Sequence, residues 1–182
     1  MVKRAEVNLG HAKKAVPQET AAPTESNYVE SLEHKGQDEE KLHIISFFLN
    51  EVEYAFEVTD AVEVLRPREV TEVPRTPEFI RGILSVRGEM VPVMDLKLRL
   101  GAGPVNGRTG RILIASVEDI KAGFVVDRLS GVKEFPASSL GPVNGAVGDK
   151  DAEFLKGVIR FKDIVIRLLN AGRLIDFTSI SR

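Results

Sequence analysis

Cysteine is absent from this 182-residue chain, which excludes a disulfide framework, a thiolate zinc site and a cysteine nucleophile at once. Histidine is scarce, and His11, His34 and His43 all precede residue 44. The rest of the chain has no imidazole to act as general base, so a Ser-His-Asp arrangement would have to recruit His43 from the start of the first strand. No run approaches the ~20 apolar residues that span a bilayer. Lys3, Arg4, Lys13 and Lys14 are followed by no apolar block of the kind that makes a secretory signal. The chain reads as soluble and cytosolic, with no direct membrane insertion. A basic excess is missing too: residues 1–41 hold 6 Lys/Arg against 8 Asp/Glu, and the remainder is balanced, giving a formal net charge of −2. Duplex binders and polybasic membrane proteins draw much of their affinity from such an excess. Proteins or small molecules are the expected partners, and nucleic acid is not.

Apolar residues supply 43% of the chain, enough for a packed interior. Residues 1–40 look different: they are rich in Ala, Glu, Lys, Gln, Ser and Thr, with Tyr28 as the only aromatic residue. Such a segment buries too little to offset its ordering entropy, so a disordered N-terminal tail is expected. The spacing of Val2, Ala5, Leu9, Ala12 and Val16 keeps a partner-binding amphipathic helix as the alternative.

From Leu42 onward the period changes to two. Ile44–Leu49, a turn at Asn50-Glu51, and the alternation of Val52, Tyr54, Phe56 and Val58 with Glu51, Glu53, Ala55 and Glu57 read as a hairpin with one buried face. Thr59–Val64 is either a capped helical turn or another strand. After a loop marked by Pro74 and Pro77, a second hairpin runs from Ile83 through Arg87-Gly88-Glu89 to Asp95, and a short helix over Asp95–Leu100 is stopped by Gly101. The Gly/Pro/Asn stretch 101–110 marks the expected internal boundary. Strands follow at Arg111–Val117, Ala122–Asp127 and Val132–Phe135; Phe154–Arg160 and Ile164–Leu169 make a last hairpin around Lys162-Asp163. Many short strands without long helices between them indicate antiparallel barrels or a sandwich.

Groups that suggest chemistry are few. Gly101, Gly103 and Gly107 hint at a phosphate cradle, yet they precede a strand and no Lys-Ser/Thr follows, so they read as linker. Asp149 and Asp151 could be a carboxylate pair or metal ligands, but the rest of a calcium loop is absent and a polar loop tip is the plainer reading. Arg66, Arg68, Arg75, Arg81 and Arg87 could form a phosphate-binding stripe, although Glu63, Glu69, Glu72, Glu78 and Glu89 are interleaved with them, as on a mixed solvated face. Neither catalysis nor a cofactor or metal is expected.

The stretch Thr76-Pro77-Glu78-Phe79-Ile80-Arg81-Gly82-Ile83-Leu84-Ser85-Val86-Arg87-Gly88-Glu89-Met90-Val91-Pro92-Val93-Met94-Asp95-Leu96 resembles the central signature of the CheW family, the chemotaxis coupling proteins. Gly123–Asp127 resembles the family's Gly-hydrophobic-Val-Val-Asp strand, and Phe154–Ile159 and Ile164–Leu169 its last two strands. The likeness runs in order from about Lys41 to Leu174. It implies an all-β fold of two intertwined five-stranded β-barrels, one SH3-like and one OB-like, with short helices. The domain is expected over residues 41–176, with 177–182 as a C-terminal end.

The resemblance also implies a function. Family members are non-enzymatic adaptors that join the cytoplasmic tips of chemoreceptors (methyl-accepting chemotaxis proteins) to the regulatory domain of a histidine autokinase, itself of the same fold. They sit in receptor arrays at the inner face of the cell membrane, and pairing through barrel ends can extend to further copies in rings. Carried over by position, Arg87 is the signature arginine of the receptor-facing region. Glu63 matches a family carboxylate, and Ala61, Gly82 and Val132 fall at positions associated with receptor coupling. An internal tie is the other role open to Arg87, a solvated strand face to Glu63, and a backbone requirement to Gly82. Ser85 replaces the family's Asn, and the leading tail is longer than in most members. The competing reading is an OB-type single-stranded nucleic-acid binder using Phe47, Phe48, Tyr54 and Phe56 as stacking platforms.

Overall fold

A computed structural model describes residues 40–103, 110–143 and 151–176. The expected tail, apart from Glu40, and the C-terminal end both lie outside the described residues. So does Asp149.

Four hairpins organise the fold: β1 (Lys41–Leu49) with β2 (Val52–Glu57), β4 (Ile80–Val86) with β5 (Glu89–Asp95), β6 (Arg111–Val117) with β7 (Ile120–Val126), and β10 (Leu155–Phe161) with β11 (Ile164–Leu169). In each, the terminal pair of the register flanks a two-residue loop. Tight loops of this kind need backbone at positive φ to match the strand twist. Asn50, Arg87, Gly88, Glu118, Asp119 and Lys162 supply it. The remaining elements are β3 (Ala61–Leu65), the helical turn α1 (Leu96–Arg99) capped by Asp95, β8 (Arg128–Pro136), β9 (Leu140–Gly141), α2 (Ala171–Ile175) and two 3-10 turns at Ala137–Ser139 and Ala152–Phe154. Thr59–Val64 thus resolves as a turn leading into strand β3.

The strands form two sheets, in the orders β8-β1-β2-β11-β10-β9 and β3-β6-β7-β5-β4. Both follow one plan: two hairpins joined through a parallel pair, β2 with β11 and β5 with β7. Each is also wrapped by a segment that crosses from one edge to the other. In the six-stranded sheet, β8 pairs with β1 over its length and the chain then reaches the far edge as β9. In the five-stranded sheet, the chain leaving β3 at one edge reaches β4 at the other only through the bridge between Thr71 and Ile83. The two small barrels of the expected fold are present, and β9, two residues long at the edge beyond β10, is the strand that takes one sheet from five to six.

The segment 101–110 does not separate the barrels. β5 before it and β6 after it belong to the same sheet, and the chain changes sheet at residues 58–60 and again at Asp127. Glycine and proline mark a loop; they carry no information about which sheet the next strand joins.

Each barrel has a small core of its own. Ile44, Ala55, Phe135, Ile159, Ile166 and Leu168 fill the first, and Leu84, Val86, Val91, Val93, Ile112 and Ile114 the second. The largest cluster lies between the sheets. There the rings of Phe47 and Phe56 stand 5.5 Å apart, and Phe56 meets Phe124 of the other sheet at 5.1 Å. Ala55 is therefore buried along with Tyr54 and Phe56, and β2 has two covered faces where alternation predicted one.

Candidate protein-docking site

The β4–β5 loop carries Arg87 and Gly88 at φ of 52° and 89°, the two positive values of a type I′ turn. The Arg87 side chain is 80% exposed, and its Nη2 lies 3.2 Å from Oε2 of Glu63. Glu63 stands on β3, at the opposite edge of the five-stranded sheet from β4. The ion pair therefore spans the seam that the single Thr71–Ile83 bridge closes elsewhere. In water such an exposed pair contributes about 0–1 kcal/mol, so its guanidinium can exchange Glu63 for a partner's carboxylate at little cost.

Gly82 belongs to the closure itself. Its φ is 140°, and a Cβ there would stand 2.2 Å from the Thr71 carbonyl oxygen. Only glycine lets the wrapping segment come this close to β4. Ala61 is half-buried opposite Ala115 and packs on the shared core. The register shift between it and Glu63 leaves Val62 exposed. Val132 is 67% exposed and lies on β8, opposite Ile45, in the other sheet. Of the five positions, the structure brings Glu63 and Arg87 into contact, makes Gly82 a closure residue, and sets Val132 apart in the six-stranded sheet.

Residues that the sequence reading did not single out mark one end of each barrel. Carrying the register of the parallel pair β5–β7 back along both strands sets Met90 beside Ile120; they are 61% and 57% exposed. The ion pair between Lys121 Nζ and Glu89 Oε2, at 2.5 Å, flanks them. The same extension along β2–β11 sets Val52 beside Val165, with Ile164 next to it, all exposed. A parallel pair places the starts of two strands at one barrel end, which is why these side chains collect there. A sequence signal exists: each hairpin has a carboxylate followed at once by an apolar residue, in Glu51-Val52, Glu89-Met90, Asp119-Ile120 and Asp163-Ile164.

Two expectations about chemistry change. Asp151 is no loop tip: it is buried, and its Oδ2 accepts hydrogen bonds from Tyr54 Oη at 2.8 Å and Arg167 Nη1 at 2.7 Å. Burial and the bond to Asp151 push the Tyr54 hydroxyl up to about 12. The triad ties β2, β11 and the chain entering β10 together. The aromatic platform of a nucleic-acid binder fails for a related reason. Phe47, Phe56 and Tyr54 are core residues, and Phe48 is half-buried beneath the Arg128 guanidinium, 4.0 Å from its ring centre. Among the described residues no group of three or more His, Asp or Glu is placed to hold a metal, and no helix is long and apolar enough to cross a membrane.

Comparison with known proteins agrees with this architecture. The CheW-like domain family matches residues 43–178. The chain is 29% identical to the chemotaxis protein CheW of Thermotoga maritima over 75% of its own length and 89% of that protein's. It is 37% identical to the protein FrzA of Myxococcus xanthus over 64% of its length and 74% of FrzA's. The crystal structure of the scaffolding protein TtCheW from Thermoanaerobacter tengcongensis superposes with a TM-score of 0.68 at 33% identity, covering 74% of this chain and 92% of that one. With its paired barrels, the family match over residues 43–178 and these relatives, the chain belongs to the CheW-like domain family of chemotaxis scaffold and coupling proteins.

Proposed function

We propose that this chain is a non-enzymatic adaptor that joins chemoreceptor cytoplasmic tips to the regulatory domain of a histidine autokinase, in arrays at the inner face of the cell membrane. The observation that carries the reading is the exposed apolar end of each barrel: Met90 with Ile120 on one, and Val52 with Ile164 and Val165 on the other. Solvated apolar side chains grouped this way favour burial against a partner. Two such ends on one molecule allow head-to-tail pairing with a partner of the same fold, which closes into rings where the rotation permits. The receptor-facing region is assigned to Arg87, Glu63 and Ala61 at the seam, with Gly82 shaping the hairpin and Val132 on the neighbouring sheet. Residues 41–176 form the functional domain, and the preceding tail is not required for its folding.

Isothermal titration of the full chain against the kinase regulatory domain, with and without a chelator, tests the docking half. Binding that is unchanged by chelation and weakened by Met90→Glu or by Val165→Glu supports the reading. Strict metal dependence, or indifference to both substitutions, sinks it.

A further inference from the structure

The helical turn α1 stands where the two barrels meet. It leaves β5 of the five-stranded sheet, and Leu96, with Leu100 just beyond the turn, is buried in the cluster shared by both sheets. Asp95 fixes its start: the backbone N–H donates to the Phe79 carbonyl at 2.7 Å, and the side chain accepts from the Leu98 N–H at 3.1 Å. Two basic side chains then leave the turn in different directions, as residues two apart on a helix must. Lys97 is buried, and its Nζ lies 3.3 Å from Oδ2 of Asp127, where the chain passes between the sheets. The same oxygen accepts from the backbone N–H of Asn50 in the β1–β2 turn, at 2.7 Å. The Arg99 guanidinium lies over two rings, 4.6 Å from the centre of Phe79, ahead of β4, and 4.7 Å from that of Phe154, ahead of β10. Its Nη2 also donates to the Asp176 carbonyl at 3.4 Å.

The hydrophobic part of the shared cluster is non-directional: it opposes separation of the barrels more than rotation of one against the other. Directional contacts at its edge add control of the angle. Lys97 brings a charge to a side-chain position only 6% exposed, and Arg99 Nε is buried without a hydrogen-bond partner. Apolar side chains would be buried there at lower cost. What the two cations add is geometry: an ammonium aimed at Asp127, and a planar guanidinium that stacks on one ring from each barrel. Phe154 is itself held, since its N–H donates to the Asp151 carbonyl and its carbonyl accepts from the Asn170 N–H. The route between the two docking ends is short. β5 starts beside Met90 and finishes at α1, and Lys97 and Asp127 lead on to Asn50, two residues before Val52.

We propose that α1, through Lys97 and Arg99, sets the angle between the two docking ends, and that this angle decides whether head-to-tail pairing closes into a ring. The ring half rests on the adaptor reading; the angle half does not. In a head-to-tail assembly every subunit contributes one fixed rotation, and a ring forms only where that rotation closes. A loosened angle lets each contact form as before, while the row of subunits stays open or closes at mixed sizes. Lys97 and Arg99 are therefore positioning residues, acting through the barrels they hold and not through a partner.

The chain has no cysteine, so spin labels can be placed at two chosen points. Thr71→Cys and Ser138→Cys put one on each barrel, both at exposed positions. Electron–electron distance measurements on the full chain should give one narrow distribution. Arg99→Ala should make it about twice as wide, Lys97→Met should broaden it too, and Arg99→Lys should restore part of the sharpness. Lys97→Met leaves Asp127 its bond from Asn50 and partial exposure to water, so this variant folds. With the kinase regulatory domain, Met90→Glu or Val165→Glu blocks one end so that the other contact is read alone. Those single-contact affinities should stay within about twofold in the Lys97 and Arg99 variants, while closed particles in electron micrographs give way to open or mixed-size ones. A distribution of unaltered width in either folded variant, Arg99→Ala or Lys97→Met, would overturn the proposal. So would a single-contact affinity that falls as far as ring closure does. A regulatory domain that does not bind the unaltered chain overturns the adaptor reading instead, and the label distances, taken on the chain alone, still decide whether α1 sets the angle.

Discussion

The two barrels share one strand plan and differ in how they close. The six-stranded barrel is sealed by β8, nine residues long and paired with β1 from Lys41 to Phe48. The five-stranded barrel is sealed by the Thr71–Ile83 bridge and the ion pair of Glu63 with Arg87. A long ladder leaves few backbone groups for a partner. A seam held by one bridge and one exposed ion pair leaves side chains able to exchange partners. Four of the five candidate coupling residues lie on the loosely closed barrel. The proposed receptor-coupling positions thus collect where closure is least complete.

The largest test of this contrast is at the glycines of the two closures. Gly82→Ala forces a Cβ to 2.2 Å from a carbonyl oxygen at a φ of 140°, and a loss of about 3–5 kcal/mol is expected. Gly157→Ala, on the other barrel, meets the Leu140 side chain at 2.7 Å and the Gly141 carbonyl oxygen at 2.8 Å without a positive φ. About 2–3 kcal/mol is expected there, because the leucine can move but the Gly141 backbone, on the two-residue edge strand β9, must shift as well. Urea unfolding of both variants compares the two. Equal losses would mean that closure strain is shared and the seam is not special.

The buried triad of the six-stranded barrel comes next. Asp151→Ala leaves Arg167 and the Tyr54 hydroxyl without their shared acceptor, and a loss of about 3 kcal/mol is expected. Tyr54 adds a pH signature. Its hydroxyl ionises at about 12 in the fold against 10.0 ordinarily, so above pH 10 the unfolded chain gives up this proton first. The contribution is complete below pH 10 and falls as pH rises toward 12, by about 2–3 kcal/mol in all. Tyr54→Phe should flatten that decline in unfolding curves measured across the window. An unchanged slope would mean another group titrates there.

These comparisons also explain what was legible in the sequence. Three of the four hairpins were, because a two-residue turn writes itself locally in residues such as Asn50-Glu51 and Arg87-Gly88; the fourth, β6–β7, was read as two separate strands. The parallel joins were not: Val93 meets Gly123 and Tyr54 meets Arg167, and nothing near either residue announces a partner so distant. The 101–110 stretch misled for that reason, as its composition marks a loop while its topology depends on a pairing elsewhere. Asp151 was misread because its partners Tyr54 and Arg167 lie on other strands. At the docking site, Arg87 and Glu63 came from the family resemblance, whereas the exposed pair Met90 and Ile120 carried a local signal in the acid-then-apolar step after each turn.

The smallest expected change in stability is at the seam, and it is the most informative about function. Arg87→Glu replaces an attraction with Glu63 by a repulsion between two carboxylates. Because the arginine is 80% exposed, solvent and salt screen both, and the loss is expected to stay near ~1 kcal/mol and to shrink at high ionic strength. An interface that desolvates the same guanidinium loses far more, ~2–5 kcal/mol, enough to abolish a micromolar contact. Receptor-dependent kinase activation should therefore fall sharply while the melting temperature and the affinity for the kinase domain hardly move. The exchange Arg87→Glu with Glu63→Arg separates the two roles, since it restores the tie across the seam with its polarity reversed. If Arg87 serves only the hairpin, the exchange should recover activation together with stability. If Arg87 meets the receptor, stability returns and activation does not, because the charge presented to the partner is still inverted at the turn.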